Sequence, residues 1–334
     1  MFKKLIVCLI VAILLIPTTL VACVKSEPLK IVFIGDSISE GIIGPSPLSE
    51  RERYAYYGVL GIRNGYIYKN RSVSGHQTKD MLDYIKQDDK DAKMVRTTIK
   101  EADIICASII GNDLLQTSLG DTLLEFVNND FSRINPIIET ARENFAEIVR
   151  IIREYNPTAT LFFQTVYNPA YPETLVIHQP VREQLATLGI YPDDYRDISS
   201  DVLALFNNVI KDYLIDHPDA FYVLDGVEAF EAIHQQDEER GRRLFSSDWV
   251  HPSSEGHAVL ADYMQVKLED LGLADKHKAL QNYKELRIEQ LGRLFSESVD
   301  VRAVKRQINK AKSCEEVTQI YFESIRGKAP SYYN

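Results

Sequence analysis

A serine near the start of the chain and an aspartate–histidine pair near its end carry the residue types needed for acyl transfer. Ser37 lies in "IVFIGDSISEG", and Asp248 and His251 stand three residues apart in "SSDWVHPSSEGH". A serine hydroxyl is a poor nucleophile until an imidazole accepts its proton, and the imidazole needs a carboxylate to fix its tautomer and stabilise its cation. The oxyanion that develops on a carbonyl needs preorganised donors. The Ser37 N–H, Gly75 in "SVSGHQT" and the Asn112 side chain in "GND" offer them. Each of these residues also has a plain structural use. Gly-Asp-Ser and Asn-Asp cap helices, Gly75 relieves a tight turn, and Asp248 caps the turn before Pro252.

Such groups react together only if the fold brings them to one place. Short apolar runs, "KIVFIG", "YIYKN", "DIICASII", "ATLFFQTV" and "AFYVLDG", alternate with helical patterns over residues 50–62, 78–85, 92–101, 135–155 and 197–216. Strands of four to eight residues separated by helices imply βαβ units and a parallel sheet. Continuous apolar runs fit strands covered on both faces. The expected fold is an α/β, three-layer α/β/α sandwich with about five parallel strands. Ligands bind such sheets at the carboxyl ends of the strands, where the turns carrying Ser37, Gly75 and Asn112 fall. From Ala274 onward, "KHKALQNYKELRIEQLGRLF", "VDVRAVKRQINKAK" and "SCEEVTQIYFESIRG" show apolar residues at three- and four-residue spacing, which predicts a C-terminal extension of two or three helices. The domain expectation is therefore a catalytic α/β unit over residues 30–273 and a helical extension over 274–334.

Taken in order, the Ser, Gly, Asn and Asp/His blocks resemble the SGNH (GDSL) hydrolase family of esterases and lipases over about residues 30 to 270. The resemblance implies a flavodoxin-like sheet, Ser37 as nucleophile, Ser37, Gly75 and Asn112 as oxyanion donors, His251 as general base and Asp248 as its orienting acid. Ile38 stands where many relatives have Leu. "GNDLL", "VYNP" and "HPSSEGH" resemble membrane-anchored lipoprotein members from Gram-positive bacteria. His257 reads as a helix-surface or supporting residue and not a catalytic one. Tyr167, Asn168 and Tyr171, in the segment after the fourth strand, and His76, beside Gly75, are candidate substrate contacts; turn and packing roles compete for them.

The first residues, "MFKKLIVCLIVAILLIPTTLVAC", have two lysines, an apolar run and small residues before Cys23, the layout of a secretory signal over residues 1–22. Leu20-Val21-Ala22-Cys23 resembles the bacterial lipoprotein box, in which the cysteine is lipidated. The competing reading is an uncleaved anchor with a chance cysteine. Either places the domain outside the cytoplasm, at a membrane, on a tether over residues 23–29. Val24 to Leu29 extend at most on the order of 20 Å.

The chain has 334 residues, 45% of them hydrophobic, enough for one large core and an appendage. Its formal charge is −10, or −12 without the two signal lysines, which argues against nucleic-acid binding through phosphate neutralisation. No G-x-S-x-G elbow, nucleotide-binding glycine motif, H-E-x-x-H pair or EF-hand loop occurs, so no metal or cofactor is expected. Cys106 reads as a core thiol, and a disulfide to Cys314 stays open. The function expected is an extracytoplasmic serine ester hydrolase acting on a lipid or cell-envelope ester. The alternatives are an O-acetyl esterase of a wall polysaccharide and a non-catalytic envelope binding lipoprotein. Oligomeric state is not legible.

Overall fold

A computed structural model describes residues 27–43, 48–116 and 118–331. The signal over 1–22 and the Cys23 lipidation site lie outside the described residues. Five strands, β1 (Lys30–Gly35), β2 (Ile67–Asn70), β3 (Ile104–Ser108), β4 (Thr160–Gln164) and β5 (Tyr222–Leu224), form one parallel sheet in the order β2-β1-β3-β4-β5. This is the flavodoxin-like order that the resemblance implies. The strand order reverses between β1 and β3, so their carboxyl ends flank the crevice where such sheets bind ligands.

Side-chain alternation builds the layers. Ile31 and Phe33 of β1, Ile104 and Cys106 of β3, and Phe162 of β4 join one buried cluster. Val32 and Ile34, Ile105 and Ala107, and Leu161 and Phe163 join the other. Successive residues of a strand point to opposite faces, so runs apolar throughout can serve only a sheet covered twice. β2 is an edge strand, and its alternating exposed and half-buried residues reflect that position. The helical pattern over 50–62 is realised as two helices, Leu48–Tyr54 and Tyr56–Asn64, broken at the extended Ala55. Gly58 explains the close corner, since a Cβ there would lie 1.7 Å from the Glu52 carbonyl oxygen.

The extension forms three helices, Lys276–Leu294, Val301–Lys310 and Cys314–Ser324. It does not have a core of its own. Tyr283, Leu286, Leu291, Leu294, Phe295 and Tyr321 belong to the same buried cluster as β1 and β3. Two fully buried arginines stitch the junction. The Arg63 guanidinium lies 3.6 Å from the Tyr283 ring centroid and its Nη2 is 2.6 Å from Asp262. Arg287 is ringed by Tyr54, Tyr283, Tyr321 and Phe322 at 4.9–5.3 Å, and its Nη1 donates to Gln290. Aromatic faces attract a desolvated cation, which offsets part of its burial cost. Cys106 and Cys314 are both free thiols, so the disulfide left open by the sequence is not formed.

Burying each large apolar side chain contributes about 1.5–3 kcal/mol, so the five from Tyr283 to Phe295 together contribute on the order of 10 kcal/mol, comparable to the whole stability of a typical domain. A chain ending at residue 273 is therefore expected to aggregate or lose its cooperative thermal transition by circular dichroism. A soluble, cooperatively folding truncation would show that the extension is an independent unit.

Candidate active site

β1 ends at Gly35, whose φ of +121° and close approach to β3 exclude any side chain: a Cβ would sit 1.9 Å from the Ser108 carbonyl oxygen. The next residue, Asp36, caps the short helix Ser37–Glu40. Its Oδ1 accepts from the Ile38 N–H at 3.0 Å and from the Ser108 hydroxyl at 2.7 Å. Capping is thus done by Asp36. Ser37 occupies the first helical position, where the backbone N–H has no intrahelical acceptor. Its Oγ lies 2.8 Å from His251 Nε2, and His251 Nδ1 lies 2.7 Å from Asp248 Oδ2. Serine, imidazole and carboxylate form one hydrogen-bonded line, the arrangement that lets an imidazole take a hydroxyl proton while a carboxylate steadies it.

Asp248 is held by its own turn. Its Oδ1 accepts from the backbone N–H groups of Val250 and His251, both at 2.9 Å, and from the Ser246 hydroxyl at 2.7 Å. Trp249, with φ of +57°, takes the left-handed backbone that folds the carboxylate back over this turn. Partial burial alone raises the Asp248 pKa, but the bonds from His251, Val250 and Ser246 outweigh it and hold the carboxyl well below the usual range. It stays ionised, as a partner for an imidazolium must.

On the other side of Ser37, the turns carrying Gly75 and Asn112 are laced together. Asn112 Nδ2 donates to the His76 carbonyl at 3.0 Å, Gln116 Nε2 donates to the Gly75 carbonyl at 2.7 Å, and the Thr78 N–H and hydroxyl both donate to Asp113. One hydrogen of the Asn112 amide is so used, and the second is left for the cavity that Asn112 lines. Ile110, a β-branched residue at φ of +97°, makes the sharp turn into Gly111. Backbone strain of this kind costs about 1–3 kcal/mol and persists where surrounding structure imposes it. Gly75 is at φ of +83° with nothing within 4 Å of an added Cβ, so backbone conformation and not crowding calls for glycine.

Ser37, Asn112, Asp248 and His251 line a cavity of about 270 Å³ whose walls include Leu114, Leu115, Leu119, Val166, Pro169 and Leu203. Of the residues proposed to touch substrate, Tyr167 lines this cavity; its hydroxyl donates to the Val250 carbonyl at 3.0 Å and its ring stacks on Phe230. Asn168 does not: it is buried, its amide donates to the Arg196 carbonyl and the Ser200 hydroxyl, and its Oδ1 accepts from Ala170. Tyr171 is buried against Trp249 and bonded to His234, away from the lining. His76 is likewise absent from the cavity wall and packs edge-on against Tyr84, with its pKa lowered by burial. Asp36 and Gln164, which line the cavity, and Ser246, which donates to Asp248, carry no spacing signal in the sequence. Among the described residues no cluster of His, Cys, Asp or Glu has the geometry of a metal site, and no helix is long and apolar enough to cross a membrane.

The chain is 30% identical over 150 residues to the Bacillus subtilis protein YpmR, a match covering 43% of this chain and 53% of YpmR, so it spans about half the length of that curated relative. Among solved structures it is similar to the lipase Lip_vut3 from a goat rumen metagenome, at 19% identity and TM-score 0.49, covering 71% of this chain and 96% of that one. It is also similar to phospholipase A1 from Streptomyces albidoflavus NA297, at 18% identity and TM-score 0.49, covering 72% and 99%. The model of the GDSL-like Lipase/Acylhydrolase family matches residues 33–259, which include Ser37, Gly75, Asn112, Asp248 and His251, and the chain belongs to that family.

Proposed function

We propose that this chain is a lipid-anchored, extracytoplasmic serine ester hydrolase whose substrate carries an apolar acyl group. The observation that carries the reading is the unbroken line from Ser37 through His251 to Asp248 at the wall of an apolar cavity. Ser37 Oγ attacks the ester carbonyl as its proton passes to His251 Nε2. The Ser37 N–H and the Asn112 amide, joined by the Gly75 N–H, receive the oxyanion. His251 then protonates the departing alcohol, leaving an acyl-enzyme. Water, deprotonated by His251, then attacks the acyl carbonyl, and the His251 imidazolium returns the proton to Ser37 Oγ as the acid leaves. The apolar side chains around about 270 Å³ favour an acyl chain longer than acetyl over the O-acetyl esterase alternative.

Strand polarity bears on how an anchored enzyme would meet its ester. β1 begins at the amino edge of the sheet and Ser37 lies at the carboxyl edge, about 20 Å away for six residues. Leu29 is already fixed, its carbonyl accepting from Ile67. A tether from Cys23 of at most about 20 Å is too short to pass the covering helices, roughly 10 Å thick, and then run back up the domain. On this reading the cavity opens away from the anchoring leaflet and takes esters that reach it from outside.

Ser37→Ala is expected to lower turnover of a medium-chain nitrophenyl ester by at least about 10³-fold with an unchanged melting temperature; unchanged turnover would sink the mechanism. Lipidated protein in vesicles is expected to hydrolyse a fluorogenic acyl ester added as a dispersion, and the same ester embedded in its own bilayer only after about 25 Gly/Ser residues are inserted before Glu27. Equal rates without the insertion would refute the orientation. Asp36 supplies a pH test. Burial pushes its carboxyl up to about 6 against opposing bonds from Ser108 and Ile38. A carboxyl with a raised pKa binds more protons folded than unfolded, so stability falls as pH rises from about 4 to 6, by up to about 3 kcal/mol. Asp36→Asn retains the Oδ1 acceptor and removes the charge. Denaturant titrations at pH 4 and 7 should show the variant gaining on the wild type by that order, and parallel pH curves would contradict it.

A further inference from the structure

The helix Ser254–Asp270 starts directly after the His251 turn, and its fourth residue, His257, is fully buried on the far side of the nucleophile segment. His257 Nε2 lies 3.0 Å from the Ile42 carbonyl oxygen, an acceptor, so Nε2 carries the proton. The Ile42 N–H in turn donates to the Ser37 carbonyl at 3.1 Å. Two peptide units therefore link the His257 imidazole to residue 37. The ring is stacked on Tyr56 at 5.9 Å and 7°, and the Tyr56 hydroxyl meets Ser39 Oγ at 3.0 Å, a second tie to the same short helix. Gly41, at φ of +83°, turns the chain so that Ile42 presents its carbonyl.

The other end of the device is equally fixed. Ser253 caps the helix through Gly256 and donates its hydroxyl to the Arg243 carbonyl at 2.6 Å, while the Ser246 N–H donates to the His251 carbonyl at 2.8 Å. Gly256 lets the helix start lie against Leu244, where a Cβ would approach its carbonyl oxygen to 2.1 Å. One helix start thus holds the imidazole that faces Ser37 and, six residues later, the imidazole that grips the chain leaving Ser37. We propose that His257 is a positioning residue that sets the Ser37–His251 separation, a role that rests on the hydrolase reading above. It touches no reacting atom. A misplacement of about 1 Å between reacting groups costs on the order of 10²-fold in rate, so a strap of this kind acts on the chemical step more than on binding.

The test compares His257→Gln, His257→Asn and His257→Leu in the full chain. The Gln amide extends far enough to donate to Ile42, whereas the Asn amide is shorter and Leu has no donor. His257→Leu is expected to lower kcat about 10- to 100-fold with KM changed less than about threefold, and to slow phosphonylation of Ser37 by a fluorophosphonate to the same extent. His257→Gln should recover both to within about fivefold of wild type. If Leu does not fold, the Gln and Asn pair decides in its place. Equal kcat and labelling rates across folded variants, or losses confined to KM, would overturn the positioning role while leaving Ser37 reactive. Absence of labelling in the wild type would overturn the hydrolase reading itself.

Discussion

The hydrogen bond between Ser37 and His251 joins residues 214 positions apart, and most of the site exists to keep it at 2.8 Å. Ser37 is set by the first strand of the sheet, and His251 by a turn that precedes the helix Ser254–Asp270. Neither group can drift without moving a buried element. Gly35 is pressed against Ser108 of the neighbouring strand, and Gly256 against Leu244. At both places glycine is required because two backbones meet with no room for a methyl group, and close packing passes any shift on to its neighbours.

Two strained backbone positions flank the candidate site. Ile110 and Trp249 are two of the four non-glycine residues described with positive φ, and they stand two residues before Asn112 and between Asp248 and His251. Each lies in the turn that carries a polar residue of the candidate site, Asn112 or Asp248. The opposing stabilisation is visible in the same turns: the three bonds to Asp248 Oδ1, and the bonds from Thr78 to Asp113. Asp113 is buried, so losing a partner there would leave its desolvation cost uncompensated, whereas the half-exposed Asp248 is held in direction by its three short bonds.

The C-terminal extension connects to the same region from outside. Arg293 bonds both oxygens of buried Glu50, the Tyr54 hydroxyl meets the Tyr321 hydroxyl at 2.6 Å, and Arg53 pairs with Glu289. These contacts hold the helix Leu48–Tyr54, which follows the Ser37 segment. The extension is thus part of the scaffold that shapes one side of the surroundings of Ser37, and two arginines caged by aromatic rings, Arg287 of the extension and Arg63 of the main domain, tie the two together.

Much of this was legible in the amino-acid order, because local rules act on local residues. Doubly apolar runs such as "IVFI" specify strands covered on both faces, and the five predicted strands are the five observed. The residue types and order of Ser37, Gly75, Asn112, Asp248 and His251 specify the chemistry they can perform. Tertiary structure decided what local pattern leaves open. It made Asp36 the cap and freed Ser37, spent Asn168 on Arg196 and Ser200 while giving Tyr167 to the cavity, and turned His257 inward onto Ile42. It also chose, between packing onto the α/β domain and facing outward to other partners, the former, merging the extension with the main core. Sequence spacing encodes which face of an element is apolar. Which residue of another element meets that face, and whether a polar side chain spends its bonds on the protein or on a substrate, is settled only when distant segments are packed together.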